Sequence, residues 1–404
     1  MKVLQINAVY GILSTGRICL ELHDFLEENG HKCVTIYGNS KGDYQDTIYV
    51  GNFFSRKFHA LLSRVTGKIG YYSKNQTIKV ISYIETFKPD IVHLHNLHAN
   101  FISIPFLLDY LGKNNIPTVV TMHDCFFYTG ACTHYTVNNC YKWEKNCYDC
   151  KFNDLTWFFD KTEKMFDDKK KLFNAIKCLS IVGVSDWITK EAKTSPIFES
   201  AKIIKRIYNG IDLSVFKRKE SGFKKEFGIE NKKIILGVAG GWSNRKGLDV
   251  FCKLNDLLGE DEKIVLVGNV KTDNLPSSII HIPTTNNVEQ LVDIYNTADV
   301  FVQASREETF GKVVAEALAC GIPVVTNNST ANPELVDERC GIIVYDFNLE
   351  KIYKAIKEVF KNGKEYYSDK CIEFAKEHFE KSENLKLYLK LYEEIICFNN
   401  GKAI

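Results

Sequence analysis

The sequence predicts an α/β protein of two domains, each built on its own parallel sheet. Three observations carry this. Short runs rich in Val, Ile and Leu alternate with longer stretches of helical apolar spacing, the pattern of strands buried on both faces and covered by helices. The chain has 404 residues, beyond the ~250–300 at which a single hydrophobic core usually stops growing. Between the two series of apolar runs lies Tyr208 to Asp212, with Asn209 and Gly210 as strong turn formers, followed by the charged stretch Lys217 to Lys225, and the hinge is expected there.

The first series places strands at Lys2 to Ile6, Lys32 to Tyr37, Ile91 to Leu94, Thr118 to Met122 and Leu179 to Val184. The second places them at Lys233 to Val238, Lys263 to Val267, Val300 to Gln303 and Pro323 to Thr326. The expected division is an N-terminal domain over 1–206, a C-terminal domain over 207–382 and a terminal helix over 383–404. That helix spaces Leu385, Leu389, Tyr392 and Ile396 for packing across either domain.

Composition narrows the function. The 45% hydrophobic and 25% charged residues exclude a disordered chain. A formal charge of +2, from 52 Lys and Arg against 50 Asp and Glu, offers no global attraction to nucleic acid. Met1 to Tyr10 reads as a buried strand and not an export signal, and no apolar run approaches the ~20 residues of a membrane span. A cytoplasmic protein is expected, whose thirteen cysteines serve as thiols or metal ligands.

The most informative segment runs from Ser305 to Thr326, SREETFGKVVAEALACGIPVVT. Gly311 permits close approach of a ligand to the backbone, and the amides of Phe310, Gly311 and Lys312 open a helix, where an anion such as a diphosphate is favoured. Glu308 precedes that helix and Glu316 lies inside it, so the two carboxylates could straddle a ligand, each accepting two hydrogen bonds from a sugar diol. With Phe310, Gly311, Ala317, Ala319, Gly321, Pro323 and Val324, the Glu, seven residues, Glu spacing resembles the retaining glycosyltransferases of the family-four type. The resemblance spans essentially the whole chain and implies the GT-B fold, two Rossmann-like domains facing across a cleft. It also implies that Glu308 contacts the donor sugar and Glu316 the ribose of the nucleotide.

After the strand ending at Val238 comes AGGWSNRKGLDVF, in which Lys246 and Gly247 precede a helix. This resembles the phosphate-binding loop of the same family, with one departure: Gly241 stands where a typical member carries Arg. Arg245 is the candidate replacement, the alternative being a diphosphate held by Lys246 and helix amides alone.

Ser14, Thr15 and Gly16 form a turn into an amphipathic helix, and the absence of GxGxxG disfavours a nicotinamide enzyme. The resemblance makes Gly16 a close-contact residue, Arg17 a donor ligand and His123 the histidine that touches the donor sugar. His123 and Asp124 also follow a strand at the carboxyl edge, where open α/β sheets bind ligands. His93, His95 and His98 have metal-like spacing but no evident carboxylate partner, which favours acceptor-side or structural hydrogen bonding.

Cys132, Cys140, Cys147 and Cys150 fall within nineteen residues. Four thiolates can surround one structural zinc, though only Cys147 and Cys150 have familiar metal spacing, and thiols or disulfides remain open. The segment Thr121 to Cys150 resembles an insertion in a polysaccharide-assembly branch of the family. From Thr47 to Ile84 there is no Asp or Glu, while Arg56, Lys57, Arg64, Lys68, Lys74 and Lys79 supply positive charge. Phe54, Phe58, Leu61, Leu62, Val65 and Ile69 recur at helical spacing, which suits either an anionic membrane surface or a core-facing stripe with a solvated basic face.

The resemblance implies a transferase that moves a sugar, with retention, from a nucleotide-sugar donor to a glycan acceptor, lipid-linked, in capsule, exopolysaccharide or O-antigen assembly. No cofactor or divalent cation is expected in catalysis, and no general base is obvious. The rivals are a nucleotide-sugar epimerase and a non-catalytic nucleotide-sugar-binding subunit.

Overall fold

A computed structural model describes residues 1–39, 44–151, 156–271 and 275–399. Its backbone divides into two compact units, residues 1–207 with 385–404 and residues 208–384. The first unit holds β1 (Lys2–Asn7), β2 (Lys32–Tyr37), β3 (Thr47–Tyr49), β4 (Ile91–Leu94), β5 (Thr118–Met122), β6 (Leu179–Gly183) and β7 (Ile203–Arg206). They form one parallel sheet in the order β3-β2-β1-β4-β5-β6-β7. The second unit holds β8 (Lys233–Gly241), β9 (Glu262–Asn269), β10 (Ile280–Ile282), β11 (Val300–Gln303), β12 (Val324–Asn327) and β13 (Gly341–Val344). These are also parallel, in the order β10-β9-β8-β11-β12-β13.

Both units are Rossmann-like. In each, strand order reverses beside the first strand, β1 or β8, so the crevice at the carboxyl ends of β1 and β4, or of β8 and β11, is the expected ligand position. The helices of the first unit are α1 (Leu13–Glu28), α2 (Phe53–Thr66), α3 (Lys74–Phe87), α4 (Ile104–Lys113), α5 (Thr162–Asn174) and α6 (Asp186–Thr194). Those of the second are α7 (Phe223–Glu226), α8 (Leu248–Asn255), α9 (Val288–Thr297), α10 (Lys312–Ala319), α11 (Leu349–Asn362) and α12 (Lys364–Phe379), after which α13 (Lys381–Asn399) leads back into the first unit.

Local chemistry sets several helix ends. Ser185 caps α6 by accepting from the Ile188 amide at 3.2 Å, and Asn287 caps α9 by accepting from Gln290 at 2.9 Å. Burial then fixes the helices on the sheet. Val3, Ile91, Val119 and Val182 of the first sheet pack with Leu22 and Leu26 of α1 and with Leu391, Tyr392 and Ile395 of α13. The terminal helix is therefore part of that core.

Three expectations change in detail. Ser14, Thr15 and Gly16 do not form a turn before the helix, because α1 already begins at Leu13 and contains them. The polar stretch Lys217 to Lys225 is tied into the second unit, where Asn296 accepts from the Lys219 amide at 2.8 Å and Asp299 from Lys224 Nζ at 3.0 Å. The apolar positions of α2 do not form one buried stripe. Its buried residues are His59 and Ser63, while Phe54, Phe58 and Leu61 are exposed.

Candidate active site

In the second unit, two chain segments meet at the carboxyl end of the sheet. The first leaves β8 and makes a single 3₁₀ turn, Asn244–Lys246, whose Lys246 amide is capped by the Ser243 hydroxyl at 3.4 Å. Gly247 follows with φ +79°, and a Cβ there would stand 2.4 Å from the Ala304 carbonyl oxygen, so only glycine lets this turn dock against the end of β11. The second segment leaves β11 and ends at Gly311, φ +92°, the residue before α10.

These segments are laced together. Lys246 Nζ lies 2.5 Å from Glu308 Oε1, with side chains only 22% and 12% exposed. Arg306 grips Asp249 of α8 with two parallel bonds of 2.8 and 2.7 Å, and Arg245 donates to the Glu307 carbonyl at 3.2 Å. The Arg245 guanidinium thus lies against the loop that carries Glu308. The Thr330 hydroxyl accepts from the Glu308 amide and donates to its carbonyl, both at 2.9 Å. Asn327 and Asn332 each donate to the Ser305 carbonyl at 2.8 Å.

Glu316 sits on α10, almost wholly buried, and its Oε2 accepts from the Tyr295 hydroxyl at 2.9 Å. Burial first, and then the Glu316 charge, hold the Tyr295 phenol far above its ordinary range, so it stays a donor. No side chain caps the start of α10, whose amides at Gly311 and Lys312 therefore offer the donors an anion needs. The Phe310 ring is buried between Tyr208 and Phe379, at 5.6 Å from each, so its side chain is a packing element and its contribution to the loop is the backbone.

The remaining candidates lie in the first unit. Gly16 is buried against the backbone of Val9 and Tyr10, and Arg17 is exposed on α1. His123 follows β5 and is held by a relay absent from the expectations. Gln5 donates its amide to the Cys19 carbonyl at 3.0 Å, which leaves Gln5 Oε1 to accept from His95 Nε2 at 3.1 Å. His95 Nδ1 is then an acceptor, and His123 Nε2 donates to it at 3.0 Å. The relay assigns the Nε2-protonated tautomer to His123.

Burial pushes the His123 imidazole down to about 4, against the opposing pull of the Asp124 carboxylate. His95 falls well below its ordinary value, first through burial and then through its two histidine neighbours, and His93 falls to about 3, through burial and then through His123. His93 bonds Tyr392 at 2.7 Å and Thr121 at 2.8 Å, a structural role. The carboxylate partner that was not evident is Asp124, 3.4 Å from His98.

Cys132, Cys140, Cys147 and Cys150 line one cavity of about 240 Å³. Cys147 Sγ accepts from the Gly130 amide at 3.2 Å. Its thiol is pushed up to about 11, chiefly by burial, and Cys132 is held well above the thiol range, first by its bond to Cys150. The thirteen cysteines form no disulfide. Among the described residues, no three His, Cys, Asp or Glu side chains are grouped closely enough to hold a metal as placed.

The fold matches solved structures over nearly its full length. A sucrose-phosphate synthase from Thermosynechococcus elongatus aligns with TM-score 0.72 and 14% identity, over 98% of this chain and 99% of that one. HepE of Anabaena, solved with UDP and glucose, aligns with TM-score 0.66 and 13% identity, over 98% and 100%. Two family models divide the sequence between them: Glycosyltransferase Family 4 matches residues 15–215 and Glycosyl transferases group 1 matches residues 219–378.

The chain has the GT-B fold, and each of its halves matches a glycosyltransferase family model. The chain is 29% identical to the Spore coat protein SA of Bacillus subtilis over 201 residues, 43% of this chain and 53% of that protein. It is 27% identical to the O-antigen biosynthesis glycosyltransferase WclY of Escherichia coli over 202 residues, 47% and 55%. The chain spans about half the length of these two relatives. A longer match, 325 residues at 25% identity, covers 78% of this chain and 81% of an uncharacterized 41.2 kDa protein in the cps region of Klebsiella pneumoniae.

Proposed function

We propose that this protein is a glycosyltransferase that moves a sugar, with retention of configuration, from a nucleotide-sugar to a glycan acceptor in surface polysaccharide assembly, working at the cytoplasmic face of the membrane on a lipid-linked acceptor. The single observation that carries the chemistry is the Lys246–Glu308 pair, held beside the uncapped start of α10. A donor diphosphate draws Lys246 and the amides of Gly311 and Lys312 to the phosphates, and Arg245 adds charge from the adjacent loop. Glu308 then serves the sugar and Glu316 the ribose. The relatives named for O-antigen and capsular polysaccharide glycosyltransferases support the substrate class.

In the transfer, the bond from the anomeric carbon to the diphosphate oxygen breaks and a bond to the acceptor oxygen forms on the same face. The acceptor proton passes to the departing diphosphate, so no separate base is needed. Lys246 and the helix amides stabilise the charge that grows on the leaving group. No divalent cation is required for this step.

The experiment is product analysis with a nucleotide-sugar panel and a lipid-linked glycan, with and without chelator. The expected result is acceptor-dependent release of nucleoside diphosphate, a product of retained configuration, and activity that persists in chelator. Conversion of the donor without acceptor would indicate an epimerase, and binding without turnover a non-catalytic subunit.

A second proposal concerns the cysteines. We propose that Cys132, Cys140, Cys147 and Cys150 bind a structural zinc. The segment from His123 to Lys161 contains only two short 3₁₀ turns among its described residues, and so long an irregular stretch needs a tie. Lys169, buried beneath it, donates to the Phe126, Thr129 and Gly130 carbonyls at 2.5, 2.8 and 3.2 Å; burial pushes its ammonium down to about 7, against the opposing pull of Cys147 and Cys132.

A further inference from the structure

We propose that α2 and the segment Trp157 to Phe159 form one surface that docks on an anionic bilayer. The first half is a helix turned inside out. Its buried residues are polar: His59, whose Nδ1 bonds the Ser73 hydroxyl at 2.9 Å, and Ser63. Its aromatic residues face outward, Phe54 being 80% exposed and Phe58 and Leu61 also exposed. The helix is not frayed, since Asn52 caps its start by accepting from the Ser55 amide at 3.1 Å and Gly67 closes its end in the left-handed conformation. A fixed helix that keeps large aromatics in water marks a binding face.

The second half comes from nearly a hundred residues later in the chain. Trp157, Phe158 and Phe159 are all exposed, Phe158 at 69%. The Trp157 amide donates to the Arg64 carbonyl at 2.7 Å, and the Arg64 guanidinium lies 5.5 Å from the Trp157 ring. The Phe159 backbone crosses Gly67 so closely that a Cβ there would stand 2.1 Å from its carbonyl oxygen. The two sets of aromatics are therefore anchored to one another.

Charge selects the occupant. Lys57 lies over Phe53 at 5.5 Å and Lys161 over Phe159 at 5.8 Å, so cations border the aromatics. The sequence holds no acid from Thr47 to Ile84. The acid beside Phe159, Asp160, is engaged by the chain, accepting from the Cys150 amide at 2.7 Å and the Thr162 amide at 2.9 Å. Exposed Phe and Trp ringed by Lys and Arg suit the boundary between anionic headgroups and acyl chains. Among the described residues no helix is long and apolar enough to cross a membrane, so this contact lies on the surface. The proposal deepens the lipid-linked acceptor reading, but its test involves no sugar, so the two can fail separately.

The test is flotation of the full chain with vesicles of phosphatidylcholine alone or mixed equally with phosphatidylglycerol. Wild type is expected to float with the mixed vesicles and far less with phosphatidylcholine. Phe54→Ser with Phe58→Ser, and separately Trp157→Ser with Phe158→Ser, should each lower the bound fraction about tenfold. Lys57→Glu with Arg64→Glu should remove the preference for anionic vesicles. Thermal melts matching wild type show that the variants are folded. A wild type that stays unbound, a wild type that self-associates through this face in sedimentation without binding vesicles, or a Trp157/Phe158 variant that floats like wild type would each overturn the proposal.

Discussion

Lys246 and Glu308 neutralise one another across 2.5 Å, although one belongs to the turn after β8 and the other to the loop after β11. Their joint desolvation has a consequence for stability that is separable from catalysis. Lys246→Met leaves the Glu308 charge mostly buried without its cation, and should cost about 1–3 kcal/mol in denaturant unfolding. Adding Glu308→Gln should recover most of that loss. Activity should not recover, because Lys246→Met removes leaving-group stabilisation worth on the order of 10²–10³ in turnover. A double variant no more stable than the single one would show that the pair is not what holds these segments together.

The histidine relay predicts a pH dependence of stability. In the folded protein His93, His95 and His123 titrate below their ordinary value, His123 near 4, because burial disfavours the imidazolium. Unfolded, they take protons as pH falls through ~6.5. Between about 4 and 6.5 the unfolded chain thus binds more protons, so stability rises with pH across that window and levels off above it. His95→Gln removes one of the three groups while keeping hydrogen-bonding capacity, and the rise in melting temperature from pH 4 to 6.5 should be smaller than in wild type. Carboxylates contribute equally to both, so identical slopes would mean that His95 does not stay neutral.

Metal analysis tests the cysteine site directly. Protein purified under reducing conditions should carry about one zinc per chain, and chelation should lower the first unfolding transition by roughly 5 °C or more. Cys147→Ser should lose the metal, and a metal-free protein that melts like the untreated sample would remove the proposal.

The central strands were readable because strands buried on both faces must be continuous apolar runs; Ile91–Leu94 and Val300–Gln303 appear as expected. Four edge strands, β3, β7, β10 and β13, escaped notice, since three or four residues, partly exposed as in Ile203–Arg206, carry no comparable pattern. Period alone showed which residues of α2 share a face, but could not show that His59 and Ser63 are the buried side. The Glu308 and Lys246 motifs were local and visible. Thr330, Asn332 and the Gln5–His95 contact were not, because their partners lie 22, 27 and 90 residues away in sequence.

The two carboxylates should separate in function, because their surroundings differ. Glu308 is paired with the ammonium of a long side chain from another loop, whereas Glu316 lies inside α10 beside a phenol that stays protonated. A carboxylate held in place suits ground-state recognition of a ribose diol, and one released by donor binding suits alignment of the reacting sugar. Glu316→Gln should therefore weaken binding of free nucleoside diphosphate about 10- to 100-fold, the loss of a charge-assisted contact of about 1.5–3 kcal/mol. Tyr295→Phe, which takes one hydrogen bond from the carboxylate without removing it, should weaken the same binding by a smaller factor. Glu308→Gln should leave nucleotide affinity within about twofold and lower kcat instead. Calorimetry with nucleoside diphosphate alone, on variants shown to be folded, decides the matter: undiminished affinity in Glu316→Gln would take Glu316 out of the donor pocket.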